Sequence, residues 1–153
     1  MLLFSKGVVL VEGDGEEILI PNIIKTALGV SLDELGIGLV NVGSVSFEYI
    51  ASLFSEERIQ RSCAIVTDED VQIVEADSKL YKAEAEERGK NRKKKLETLY
   101  DRNPWVESFY APHTLEVDFA LADERANSDY ISEIIDLNYV DSNTIKKHKE
   151  NLK

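Results

Sequence analysis

The chain has 153 residues, 43% of them apolar and 31% charged, with a formal net charge of −11. That length suits one domain whose core needs no disulfide, and a single cysteine, Cys63, allows none within the chain. No apolar stretch approaches the roughly 20 residues of a membrane span, and the start, Met1-Leu2-Leu3-Phe4-Ser5-Lys6, lacks the marks of an export signal, so a cytoplasmic protein is expected.

Residues 6–12 read as a buried parallel strand, continuous and β-branched, that ends at Glu12-Gly13. Helical spacing follows at Ile18, Ile20, Ile23, Ile24, Ala27 and Leu28, closed by Gly29, with Pro21 either tolerated near the first turn or kinking the helix. Ser31 caps a short turn over residues 32–35, which Gly36 ends. Residues 37–42 form a second strand, Gly43-Ser44 a turn, and Phe47, Ile50, Ala51 and Phe54 a second amphipathic helix. A third strand covers 62–66, with Cys63 as buried filler, and residues 72–74 extend a loop or add a short strand. A long, mostly polar helix over 79–101, either continuous or broken at Gly89, stops at Asn103-Pro104. Another short strand over 106–110 precedes the segment Thr114-Leu115-Glu116-Val117-Asp118, and two helices near 129–137 and 142–152 finish the chain. This order predicts an α/β fold, a parallel sheet with right-handed crossovers flanked by helices. A single domain is expected over 1–153, with a core at about 6–77, a basic helical segment at about 78–103, and a C-terminal strand and helices at about 104–153.

Two of these strands run from apolar core into acid. The first ends at Glu12, with Glu16 four residues later; the third runs into Asp68-Glu69-Asp70. Ligands of open parallel sheets bind beyond the carboxyl ends of the strands, so Glu12 and Asp68 can converge although 56 positions apart. Clustered carboxylates repel unless a cation sits among them, and hard oxygens without His or Cys select Mg²⁺, Mn²⁺ or Ca²⁺ over zinc. Two such ions, roughly 3.5–4 Å apart, would activate water and steady the leaving oxygen of a phosphodiester. Each motif also has an ordinary explanation. Helix dipoles favour acids such as Glu16 and Glu17 in a first turn, and Asp-x-Asp after a strand is common turn chemistry. The joint occurrence in one topology is what points to a metal site.

Charge is unevenly spread. Residues 78–103 hold nine Lys or Arg against five Asp or Glu, which is half of all basic residues in the chain. Arg88, Lys90, Arg92, Lys93, Lys94 and Lys95 are therefore candidates for phosphate contact. The competing explanation is a solvated helix whose local partners are Glu84, Glu86 and Glu87. His113 and His148 lack ligand spacing and read as loop and tail residues.

Glu-Gly-x-x-Glu after the first strand with Asp-x-Asp after the third resembles a Toprim domain, the catalytic fold of topoisomerases, primases and certain nucleases. More specifically, Lys6-Gly7-Val8-Val9-Leu10-Val11-Glu12-Gly13, Glu16-Glu17-Ile18-Leu19-Ile20-Pro21, Leu32-Asp33-Glu34-Leu35-Gly36-Ile37, Val40-Asn41-Val42-Gly43 and Thr114-Leu115-Glu116 resemble the OLD (overcoming lysogenization defect) family of nucleases. That group includes the nuclease of the Gabija antiphage system. The resemblance implies a Toprim-like Rossmannoid sheet with a long basic helical insertion and C-terminal helices. It implies a DNA endonuclease or nicking domain that uses Mg²⁺ or Mn²⁺, two ions in all, with Ca²⁺ as a non-productive substitute. Carried over by position, Glu12 and Glu16 are metal ligands, Glu12 also handles a proton, Asp68 and Asp70 bind the other ion or bridge both, and Glu116 is either a later acidic ligand or a surface carboxylate beside Asp118. Glu12, Asp68 and Asp70 form the catalytic set. DNA, an ATPase domain or subunit, and a second copy of the chain are the implied partners.

Two departures qualify this. Family members carry an ATPase domain ahead of the Toprim part, and no Walker-type Gly-rich loop occurs in this sequence. They also place a lysine on a helix after the Thr-Leu-Glu segment, with which neither Lys146 nor Lys147 aligns securely. A fragment or partner-dependent subunit is therefore expected, and the alternative function is a weak or inactive Toprim module that assembles with a separate ATPase. A primase or topoisomerase fragment fits poorly, because no strand-passage tyrosine context and no zinc-binding cysteines accompany the core.

Overall fold

The computed structural model describes residues 4–43, 47–71, 79–122 and Lys146. Val8, Leu10 and Val11 cannot be left in water, and strand β1 (Gly7–Val11) buries all three at the centre of a four-stranded parallel sheet. Its neighbours are β2 (Ile37–Asn41), in register from Gly7↔Ile37 to Val11↔Asn41, and β3 (Ser62–Asp68), from Gly7↔Ser62 to Leu10↔Ile65. Strand β4 (Val106–Ala111) adds to the far side of β3, from Cys63↔Val106 to Asp68↔Ala111. The strand order is β2-β1-β3-β4.

Helix α1 (Asp14–Leu28) connects β1 to β2. It starts with Asp14, Glu16 and Glu17 in its first turn and ends where Gly29 adopts φ +73, a left-handed cap that glycine supplies without strain. Pro21 sits inside the helix, eight residues in, rather than in its first turn. The 3.6-residue spacing marks this helix correctly, yet none of its residues is buried, and Ile18 and Leu28 are about two-thirds exposed. The short α2 (Leu32–Leu35) is held by a capping box: Ser31 Oγ accepts from the Glu34 amide while the Glu34 carboxylate accepts from the Ser31 amide.

Helix α3 (Phe47–Ala51) and the following Phe54 cover one sheet face. With Val8, Leu10, Val42, Cys63, Ile65 and Val106 they form the main core, joined by Leu96 of helix α4 (Lys79–Tyr100). Right-handed crossovers put α1 on one face and α3 and α4 on the other, because the chain moves outward from β1 to β2 and then back across to β3. The chain therefore reverses its direction of travel between β1 and β3, and the carboxyl ends of strands at such a reversal are where open parallel sheets bind ligands.

No break occurs at Gly89: α4 runs through it without interruption. Gly89 is buried against the backbone of Glu69, where an added Cβ would lie 2.3 Å from the Glu69 carbonyl oxygen. The glycine is there for close approach of the helix to the strand end, at the expense of the roughly 1 kcal/mol by which Gly is a poorer helix former than Ala.

The chain divides into two compact units, Met1–Leu115 and Glu116–Lys153. Of the second, helix α5 (Leu115–Ala122) is described to its end. The helices expected near 129–137 and 142–152, the extension at 72–74 and His148 lie outside the described residues, apart from Lys146, which is helical. Among the described residues no helix is long and apolar enough to cross a membrane.

Candidate active site

Glu12 follows the last residue of β1, and Asp68 is the last residue of β3. Because those strands are neighbours, two carboxylates distant in sequence meet at one edge of the sheet. Asp70, two residues beyond β3, adopts φ +55, a left-handed conformation unusual for a residue with a side chain. Glu16 lies in the first turn of α1, its carboxylate close to Gly13, where a Cβ would come within 3.0 Å of Oε2.

The centre of this acidic group is occupied by a guanidinium. Arg92 of α4 donates from Nη1 to Glu12 Oε1 (3.1 Å) and from Nη2 to Asp68 Oδ1 (2.8 Å) and the Asp68 carbonyl oxygen (2.8 Å). Asp70 Oδ2 stands 3.5 Å from the same Nη2, at the outer limit of a hydrogen bond. On its other oxygen Glu12 accepts from the buried Thr67 hydroxyl at 3.0 Å. Arg92 Nε is buried and has no acceptor among the described residues. Burial, first, and the Asp70 charge, second, push the Asp68 carboxyl up to about 6; Arg92 opposes them, and Glu12 and Glu16 add to the rise.

The residues expected at the site are thus brought together in part. Glu12, Asp68 and Asp70 converge on one cationic group, and Glu16 is near enough to act on Asp68. Glu116 lies in the first turn of α5 and opens the second compact unit. Among the described residues no three Asp, Glu, His or Cys side chains are gathered closely enough to hold an ion as they stand. The donor set itself suits a hard divalent cation, being carboxylate oxygens aimed at a positive charge, and the guanidinium stands where such an ion would be attracted.

The basic run is partly turned inward. Lys93 Nζ pairs with Glu69 at 2.6 Å and lies 5.0 Å from the centre of the Tyr110 ring; Lys95 pairs with Glu48 at 2.6 Å, and Lys90 with Glu86 one turn earlier. Arg88 and Lys94 are exposed. The inward role of Arg92 is what sequence reasoning misses. The available signal is that Arg92 is the one arginine between Lys90 and Lys95, and a planar fork matches carboxylates as an ammonium cannot. Asn41 at the end of β2 was also missed: its amide donates to Asp14 (2.7 Å) and Glu17 (3.0 Å), tying those two acids away to the side.

Other reactive groups have structural roles. Burial raises the Cys63 thiol to about 12, which fits the filler expected of it. His113 holds the Val71 carbonyl at 2.7 Å through Nδ1.

Residues 3–70 match the family model described as the overcoming lysogenization defect protein-like TOPRIM domain. The fold is similar to the C-terminal region of the Burkholderia pseudomallei OLD protein, with a TM-score of 0.66 and 25% identity over 97% of this chain and 71% of that one. It is also similar to the C-terminal region of the Xanthomonas campestris pv. campestris OLD protein, with a TM-score of 0.61 and 22% identity over 99% and 72%. No curated protein sequence matches the chain. Toprim domains of OLD proteins are generally nuclease-type, and Toprim domains generally bind divalent metal ions. Glu12, Asp68 and Asp70 all fall inside the matched span, so the acidic group lies in the part of the chain that is similar to the OLD-like TOPRIM domain.

Proposed function

We propose that this chain is a DNA endonuclease domain that hydrolyses phosphodiesters with Mg²⁺ or Mn²⁺. The observation that carries this reading is the convergence of Glu12, Asp68 and Asp70, from the ends of two adjacent strands, on a single cationic group. On this reading Glu12, Asp68 and Asp70 hold the cation with Glu16 beside them. Two bound ions would supply Lewis acidity for a phosphoryl oxygen and a water of lowered pKa, and Ca²⁺ would bind without turnover. Thr67 holds Glu12 Oε2 and Arg92 holds Oε1, so the carboxylate is fixed in orientation at the site, where on this reading it also handles a proton. Arg88, Lys90, Arg92, Lys93, Lys94 and Lys95 are the residues for DNA phosphates, with Arg88 and Lys94 the most accessible. The proposed setting is the cytoplasm, in defence against phage DNA, beside an ATPase domain or subunit or a second copy.

A second reading, a Toprim module that assembles with an ATPase and does not cleave, is favoured by one observation: the carboxylates already hold a cation of the chain's own, the Arg92 guanidinium. Supercoiled plasmid incubated with Mn²⁺ separates the two. Nicking by the wild type that vanishes on adding a chelator, and falls at least 100-fold in Asp68→Ala, supports the nuclease. A folded wild type that leaves the plasmid intact supports the module.

A further inference from the structure

Resting on the metal-site reading above, we propose that Arg92 is the resident cation of the Glu12–Asp68–Asp70 cluster and excludes a divalent ion, which enters only as the guanidinium leaves. The oxygens facing the interior of the cluster, Glu12 Oε1 and Asp68 Oδ1, are the ones that Arg92 already uses, at 3.1 and 2.8 Å. An ion coordinated by that pair would sit against the guanidinium, and two cations cannot share those lone pairs without strong mutual repulsion.

The hold of Arg92 on the site is suited to release. It grips through its two terminal nitrogens, while Nε, buried without an acceptor among the described residues, contributes nothing. One nitrogen, Nη2, is spread over three oxygens, the third at 3.5 Å. The backbone position of Arg92 is by contrast fixed: Gly89, one turn earlier, lies directly on the Glu69 backbone, and Lys93 pairs with the Glu69 side chain. The side chain can therefore exchange partners while the helix stays in place. Released beside a metal-bound site, a guanidinium offers paired donors to the non-bridging oxygens of a phosphodiester. Arg92 is thus a positioning residue in the free protein, and its displacement sets the metal affinity.

The test is binding of Mn²⁺ alone to the full chain, read from the paramagnetic resonance of free ion, with circular dichroism confirming the fold. Arg92→Met should bind Mn²⁺ about ten-fold more tightly than wild type. Arg102→Met, which removes the same charge just beyond the end of α4, should bind as wild type does. Equal or weaker binding by folded Arg92→Met overturns the proposal. If Asp68→Asn then abolishes wild-type binding, the metal site survives and this proposal alone falls; if neither wild type nor Arg92→Met binds Mn²⁺, both fall. A second measurement needs no loss of charge. The Arg92 Nε–H resonance, identified by its absence in Arg92→Lys, should move on Mg²⁺ titration of wild type, and its remaining fixed at saturating Mg²⁺ overturns the proposal.

Discussion

Asp68 sits between opposing influences, with Asp70, Glu12 and Glu16 of its own sign and Arg92 against them, and the outcome is a carboxyl raised to about 6 from an ordinary 3.8. The folded protein therefore binds this proton more tightly than the unfolded chain does. Its contribution favours folding below about pH 4 and is lost as pH rises through 6, the reverse of a salt-bridged acid of lowered pKa. Asp68→Asn keeps the shape and one acceptor oxygen but cannot ionise. In the absence of divalent ions it should be more stable than wild type by about 1–2 kcal/mol at pH 7, allowing for solvent screening, and no more stable at pH 4. Urea denaturation at pH 4, 5, 6 and 7 measures this, and parallel profiles for the two proteins would exclude it. The same substitution should abolish nicking, so stability and activity move in opposite directions, as is common where function requires clustered like charges.

Helix α4 is the element on which the site depends, since it carries Arg92 inward and packs by Leu96 into the core and by Gly89 onto the strand end. In an exposed helix Gly→Ala stabilises by roughly 1 kcal/mol. Here Gly89→Ala should destabilise by about 1–3 kcal/mol, because backbone cannot yield as a flexible side chain would, and the helix must lift from Glu69. Leu96→Ala, at a position 3% exposed, should cost about 2–4 kcal/mol. Thermal or urea unfolding gives both values; a stabilised Gly89→Ala would show that the close approach is not maintained. This helix also marks the limit of what the sequence makes legible. The four strands follow from local pattern, and in two of them the apolar run passes into carboxylate, so Glu12, Asp68 and Asp70 could be placed at strand ends without coordinates. Arg92 could not, because Glu12 is 80 positions away and a basic helix has the same pattern whether it faces water or acid. The role of Gly89 is hidden for the same reason: its partner, the Glu69 backbone, is visible only in three dimensions, so the sequence alone leaves a break there open. On α1 the spacing revealed the helix but not the depth at which Ile18, Ile23 and Leu28 lie.

For the molecule as a whole, a net charge of −11 and a concentrated basic segment pull in opposite directions, and internal pairing decides between them. Of the six basic residues between 88 and 95, Lys90, Arg92, Lys93 and Lys95 have carboxylate partners within the chain. A DNA phosphate would have to compete with Glu86, Asp68, Glu69 and Glu48 for them, whereas Arg88 and Lys94 are exposed. Each phosphate neutralised contributes about 0.9 to the fall of log K with log salt on duplex DNA. Binding through Arg88 and Lys94 alone therefore predicts a slope near 2, against about 5 if all six basic residues engage. Fluorescence anisotropy with a labelled duplex at 50–200 mM KCl, without divalent ions, gives the slope directly. Lys94→Ala should lower it by about one and weaken binding equally for unrelated DNA sequences. A slope near 5 would mean that the ion pairs on α4 open when DNA arrives, which makes the helix, rather than the sheet edge, the part of the molecule that DNA remodels.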